Sequence, residues 1–244
     1  MSKTLVSYVF HIYNSRVHYF INNSIFESEN IDFLIICNDK NINFNYPTFS
    51  NVNVIKRDNI GYDFGGWSDG ILINELYKKY DYYIFANSSV IGPFLKPHFS
   101  GKWTDIYING LSEQNCKLFG STINTIKIPH VFAHVQSYIF STDREALDYL
   151  IEEEIFTTHK YSKSIYEAVI SKEILMSRKI LDKGWNIASL LPLYKGVIFT
   201  NNITNEDLLL YGDLMFEYYR GKLWNEYDLV FVKGNRIMIT PTGN

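Results

Sequence analysis

The stretch VIKRDNIGYDFGGW, residues 54–67, leaves strand chemistry abruptly and concentrates groups that can bind polar ligands. An arginine, an amide, two carboxylates and three glycines lie between Arg57 and Gly66. Glycine permits close backbone approach and positive φ, so amides here could approach a nucleotide. Arg57 could contact a phosphate or a base, and Asp58 or Asp63 could accept from ribose hydroxyls. The competing reading is a tight turn with a capped helix behind it. No Gly-Lys-Ser/Thr follows, which excludes a Walker-type phosphate loop.

A second constellation is DYYIFANSSVIGPF, residues 81–94, where an apolar strand ends in Asn87, Ser88 and Ser89. These are small hydrogen-bonding groups and also common strand terminators. A third is HVFAHVQSYIF, in which His134, Gln136 and Ser137 could orient hydroxyls or phosphate, while the alternation equally suits a half-buried strand. His130 reads as a loop residue. Glu173 has mostly apolar neighbours at helical spacing, namely Val169, Ile170 and Met176. It could lie toward the interior with a raised pKa and act as a general base, or sit on the surface beside Lys172 or Arg178.

The elements that would position these groups alternate in type. KTLVSYVFHIY reads as a buried strand, and SRVHYFINNSIFES as a helix capped by Asn14 or Ser15. IDFLIICND and VNVIKR are strands, SDGILINELYKKY is a helix capped by Ser68, and YDYYIFANSS is a strand. This order predicts an α/β fold with a mostly parallel sheet flanked by helices. Ligands in such sheets bind beyond the carboxyl ends of the strands. The ends carrying His11 and Tyr13, CND at 37–39, Arg57 to Gly66, and Asn87 to Ser89 should therefore meet along one rim. Further on, WTDIYINGL is a helix and KLFGSTIN a strand. A strand from Val135 to Phe140 precedes a helix opened by Ser141 or Thr142, SIYEAVISKEILMSRKILDKG is a long helix closed by Gly184, and YDLVFVKGNR is a last strand.

Composition narrows the classes. A net charge of −3 with scattered Lys and Arg argues against nucleic acid as a partner. Two cysteines, Cys37 and Cys116, suit buried thiols in a reducing compartment, so a cytoplasmic location is expected. The N-terminal stretch lacks the apolar core of a leader, and no run approaches the roughly 18 apolar residues of a membrane span. Dispersed histidines and the absence of Cys-X-X-Cys give no metal motif, and no Gly-X-Ser-X-Gly elbow marks a hydrolase.

Five segments in matching order, RDNIGYDFGGW, YDYYIFANSSVIGPF, KLFGSTIN, HVQSYIFSTDREAL and YDLVFVKGNR, resemble the rhamnan-synthesis-type glycosyltransferases. The resemblance implies a GT-A-like (Rossmann-like) single domain over 1–244, with residues 1–95 holding a nucleotide sugar and 96–244 forming the acceptor side. It implies transfer of a sugar, rhamnose or another hexose, from a nucleoside-diphosphate sugar to a hydroxyl of a glycan acceptor, with inversion. The alternative is a non-catalytic nucleotide-sugar or glycan-binding protein derived from a transferase. His11, Tyr13, Arg57, Asn59, Gly61, Tyr62, Asp63, Asn87, Ser88 and Ser89 become donor residues; His134, Gln136 and Ser137 become acceptor or sugar residues; Glu173 becomes the catalytic carboxylate. Residues 87–89 stand where many GT-A enzymes carry Asp-X-Asp, which holds Mn²⁺ or Mg²⁺. A triplet of neutral oxygens leaves two options, a cation held mainly by the donor's phosphates or its replacement by Arg57 and a lysine.

Overall fold

A computed structural model describes residues 2–125, 133–199 and 212–238; His130 lies outside them. The first seven residues of regular structure, β1 (Thr4–Phe10), are buried throughout, as their β-branched and aromatic run predicts. Adjacent side chains of β1 serve opposite faces: Tyr8 stacks on Phe20 of α1 (Ser15–Asn23) at 3.9 Å between ring centroids. Val9 instead packs against the helix α2 (Tyr62–Leu72) on the other face. Asn14 caps α1, accepting from the backbone N–H of Arg16 and Val17.

β2 (Ile31–Cys37), β3 (Val52–Lys56) and β4 (Tyr82–Asn87) join β1 in parallel. After the two-residue β5 (Val90–Ile91) and α3 (Trp103–Glu113), the chain returns as β6 (Leu118–Gly120), β7 (Ile123–Asn124), β8 (His134–Val135) and β9 (Ile139–Asp143). Then follow α4 (Arg144–Glu152), α5 (Ile165–Ala168), a π-helical stretch (Val169–Ile174), α6 (Leu175–Asp182), β10 (Ile187–Ser189), α7 (Glu226–Leu229) and β11 (Val232–Lys233). The central sheet has seven strands in the order β10-β6-β9-β4-β1-β2-β3 and is parallel except at β9, which runs against both neighbours. The mostly parallel, helix-flanked sheet expected of the sequence is thus the fold.

Local departures have local causes. The helix expected to be capped by Ser68 begins seven residues earlier, because Gly61 adopts φ +76° at the cap position and turns the chain into α2. Gly65 and Gly66 are consequently helical residues. A Cβ on Gly65 would stand 2.1 Å from the carbonyl oxygen of Ile60. The glycines serve close packing of protein on protein, not approach to a ligand. Ser141 and Thr142 remain in β9, and Asp143 caps α4 by accepting from Ala146 N–H. YDLVFVKGNR is mostly α7 and turn, and only Val232 and Lys233 are strand. KLFGSTIN breaks into β6 and β7. The long helix ends as expected, with Gly184 at φ +84°. Cys37 and Cys116 are buried free thiols. Among the described residues, no helix is long and apolar enough to cross a membrane.

Candidate active site

The ends of β1, β3 and β4 meet at one cavity, and the end of β2 joins them through Asn38, bonded to His11 and the Tyr62 carbonyl. A cavity of about 410 Å³ lies beyond the carboxyl edge of the sheet, lined by His11, Asn59, Tyr62, Asp63, Asn87, Ser89, Ser137 and Glu173 of the expected residues. It is also lined by Tyr138, Ile165, Ala168, Val169, Lys233 and Asn235, which the sequence did not single out. The turn after β1 brings His11, whose Nδ1–H donates to the Asn38 carbonyl at 2.9 Å. Asp63 comes from the first turn of α2, where a carboxylate suits the helix dipole. Asn87 ends β4 and donates Nδ2–H to Asp63 Oδ2 at 2.9 Å, while its Oδ1 accepts from Ser89 N–H, also at 2.9 Å.

Glu173 sits in the π-helical stretch, a distortion frequent at functional sites. Its neighbour Lys172 turns away to the carbonyl of Glu154, so the surface pairing with Lys172 does not form. Glu173 Oε2 accepts from the backbone N–H of Ser137 at 3.0 Å and from the Ser137 hydroxyl, and Oε1 lies 3.4 Å from His134 Nε2. Burial pushes its pKa up, but the contacts with His134, the charge of Lys233 and the Ser137 hydrogen bond outweigh burial and hold it at about 2. The raised value expected for an interior carboxylate is therefore corrected: hydrogen-bond donors and positive charge outweigh desolvation. Asp63 shows the opposite balance. Burial, reinforced by the negative charge of Glu173, lifts it to about 6 against the opposing effects of Asn87 and Lys233. Two carboxylates in one cavity thus have well-separated affinities for protons.

Six of the expected residues stand outside the cavity lining. Arg57 spends its guanidinium on the protein, donating to Asp69 Oδ2 at 2.7 Å, Asn38 Oδ1 at 2.9 Å and the Ile60 carbonyl at 2.8 Å. These bonds brace the loop that presents Asn59 and Tyr62. Asn38 completes the brace by donating to the Tyr62 carbonyl at 3.2 Å. Gly61 abuts Tyr161. Tyr13 is stacked on Phe44 and hydrogen-bonded to His18. The Ser88 carbonyl accepts from Arg16 Nε at 3.1 Å. His134 is buried behind Glu173. Gln136 is 2% exposed and joins Thr122 to Asp213.

The triplet at 87–89 does not fit a protein-held divalent cation. Hard cations take anionic oxygen sets, whereas the triplet offers neutral oxygens and Asn87 is committed to Asp63 and Ser89. Among the described residues, no group of three or more His, Cys, Asp or Glu could hold a metal ion.

The family model for "Rhamnan synthesis protein F" matches residues 33–211, a span that includes the Arg57 loop, the 87–89 triplet and Glu173. The chain belongs to the rhamnan synthesis protein F family. The expected resemblance is therefore upheld, and membership supports a glycosyl-transfer role in polysaccharide synthesis. No curated protein matches the chain. Among solved structures, one similar chain is a protein from Bacillus anthracis described as a glucose-1-phosphate thymidylyltransferase, in complex with a sucrose. It is 11% identical, with a TM-score of 0.41, over 76% of this chain and 85% of that one. For this family member, the missed residue of most consequence is Lys233. Its only sequence signal was its place in YDLVFVKGNR, which was legible as a matching segment but not as part of the site.

Proposed function

We propose that this family member moves a hexose, with rhamnose the first candidate, from a nucleoside-diphosphate sugar to a hydroxyl of a growing glycan, with inversion. A single domain performs the reaction, the first 95 residues holding the donor and the remainder receiving the acceptor. The supporting observation is the meeting of Asp63, Asn87 and Ser89 with Ser137 and Glu173 in one cavity, since those groups come from opposite halves of the chain. On the donor side, His11, Asn59, Tyr62 and Asp63 bind the nucleotide sugar, with Asn87 and Ser89 beside its phosphates. Glu173 faces the acceptor. As the acceptor oxygen bonds to the anomeric carbon, its proton passes to Glu173, and the bonding pair of the anomeric C–O bond leaves with the diphosphate. The Ser137 and His134 contacts keep the Glu173 carboxylate ionised at neutral pH. That guarantees the accepting form at the cost of basicity.

The test is transfer or hydrolysis of uridine, thymidine and guanosine diphosphate sugars by the purified chain. One donor should turn over, and Glu173→Gln should reduce kcat by about 10²-fold or more, the scale of general-base loss, while donor affinity stays within a few-fold. Donor binding without any turnover would leave the binding-protein alternative standing. An unchanged kcat in the variant would remove Glu173 from the chemistry.

A further inference from the structure

Lys233 is brought to the cavity by pairing that its own segment does not reveal. β11 lies antiparallel to β5, with Lys233 opposite Val90, and the N–H of Gly234 donates to the Ser89 carbonyl at 2.7 Å. The C-terminal segment is thereby stitched to the turn that follows Asn87, and Lys233 lines the same cavity as Asn87, Ser89, Asp63 and Glu173. Lys117 is engaged with Asp143 and Glu145, Lys172 with the Glu154 carbonyl and Lys40 with Asp58, and none of the three lines this cavity. Among the described residues, the Lys233 ammonium has no hydrogen bond and no ion pair. The two carboxylates nearest in function are already held, Asp63 by Asn87 and Glu173 by Ser137 and His134. An ammonium left over in a polar cavity, beside a triplet that offers a metal only neutral oxygens, suits an incoming anion.

We propose that Lys233 is the fixed cation that binds the donor's diphosphate, in the position where a protein-held divalent ion would otherwise stand. This deepens the transferase reading and rests on it. Lysine is a point-charge phosphate ligand. When the bond from the anomeric carbon to the phosphate oxygen breaks, its electron pair stays on that oxygen and the diphosphate gains negative charge. A cation already in place is then worth more in the transition state than in the ground state. The acceptor oxygen forms the new bond and its proton goes to Glu173, so no further reactant is required.

Calorimetric titration with UDP, dTDP and GDP, in excess EDTA and again in Mg²⁺, tests this on the full chain with wild type, Lys233→Gln and Lys233→Arg, each checked for an unchanged melting temperature. One diphosphate should bind wild type with a Kd that EDTA alters by less than about 3-fold, a change below the worth of one hydrogen bond. Lys233→Gln should weaken it by about 10- to 100-fold, the range of a charge-assisted hydrogen bond, and Lys233→Arg should recover most of the loss. Equal affinity in wild type and Lys233→Gln overturns the proposal. So does collapse of wild-type binding in EDTA, or a Gln variant that melts early and an Arg variant that fails to recover affinity. In those cases the transferase reading survives, because the diphosphate still binds; if no diphosphate binds wild type at all, both fall.

Discussion

Asp63 and Glu173 share a cavity and differ in proton affinity because their partners differ. Asp63 receives one amide hydrogen bond and stands against a second negative charge, while Glu173 receives two hydrogen bonds from Ser137 and lies beside His134. The consequences for stability have opposite signs. A folded-state pKa raised to about 6 means that Asp63 favours the fold when neutral; that contribution is full below its unfolded value near 3.8 and is lost as pH rises through 6. Asp63→Asn, which can still accept from Asn87, should therefore raise the melting temperature at pH 7.5 by the equivalent of about 3 kcal/mol, and the two curves should converge near pH 4. Glu173, held at about 2, contributes above its unfolded value of 4.5 and loses that contribution as pH falls through 2. In catalysis the same pair predicts an acid limb in kcat/KM near pH 6, set by Asp63, with no limb from Glu173 above about pH 3. A pH profile of the purified transferase checks this, and a limb near 4.5 would contradict both assignments. Neither carboxylate's partner is near it in sequence, so the environment that separates them could not be read from either segment.

Helix α2 and the π-helical stretch decide where those carboxylates point. The apolar spacing of SRVHYFINNSIFES and of SIYEAVISKEILMSRKILDKG announced helices, the first of which stops at Asn23, because a 3.6-residue period is a local property. The start of α2 was not legible, because glycine's freedom does not say what comes close to it. Gly61 turns the chain, and Gly65 lies against the Ile60 carbonyl inside the helix. A methyl group at Gly65 would meet backbone at 2.1 Å and not the yielding end of a side chain. Gly65→Ala should thus displace the whole turn that carries Asn59, Tyr62 and Asp63. Urea denaturation is expected to show a loss of about 1–3 kcal/mol, the usual scale of overpacking, together with weaker diphosphate binding. A fully stable variant with native affinity would mean that the turn has room to move. The π-helical stretch has a similar standing: the apolar neighbours of Glu173 suggested an inward side chain, while the distortion that aims it at Ser137 needs the packed strand β8 and the turn after it.

Across the whole molecule, the site depends on a C-terminal segment more than 140 residues from the triplet it completes. Phe231 anchors that segment in the aromatic layer on the α1 and α3 face, with ring centroids 5.0 Å from Trp103 and 5.9 Å from Phe20. It is fully buried. Phe231→Ala should cost about 3–5 kcal/mol of unfolding free energy and should also weaken diphosphate binding, because Lys233 follows two residues later, in the strand that Phe231 leads into. A variant that loses stability and keeps full affinity would uncouple the segment from the cavity. The sequence by itself determined the class of the fold, the order of the parallel strands with their helices, the rim where His11, Asp63, Asn87 and Ser89 meet, and the family. Those follow from alternation, helical period and segment order, which act over a few residues at a time. Only the tertiary structure decided that Arg57 braces a loop, that Gln136 belongs to the core, that Ser137 and His134 hold the Glu173 carboxylate, and that Lys233 enters the cavity. Each of these is a matter of partners, and hydrogen bonds and charges choose their partners by distance in space, which the chain sets only once it has folded.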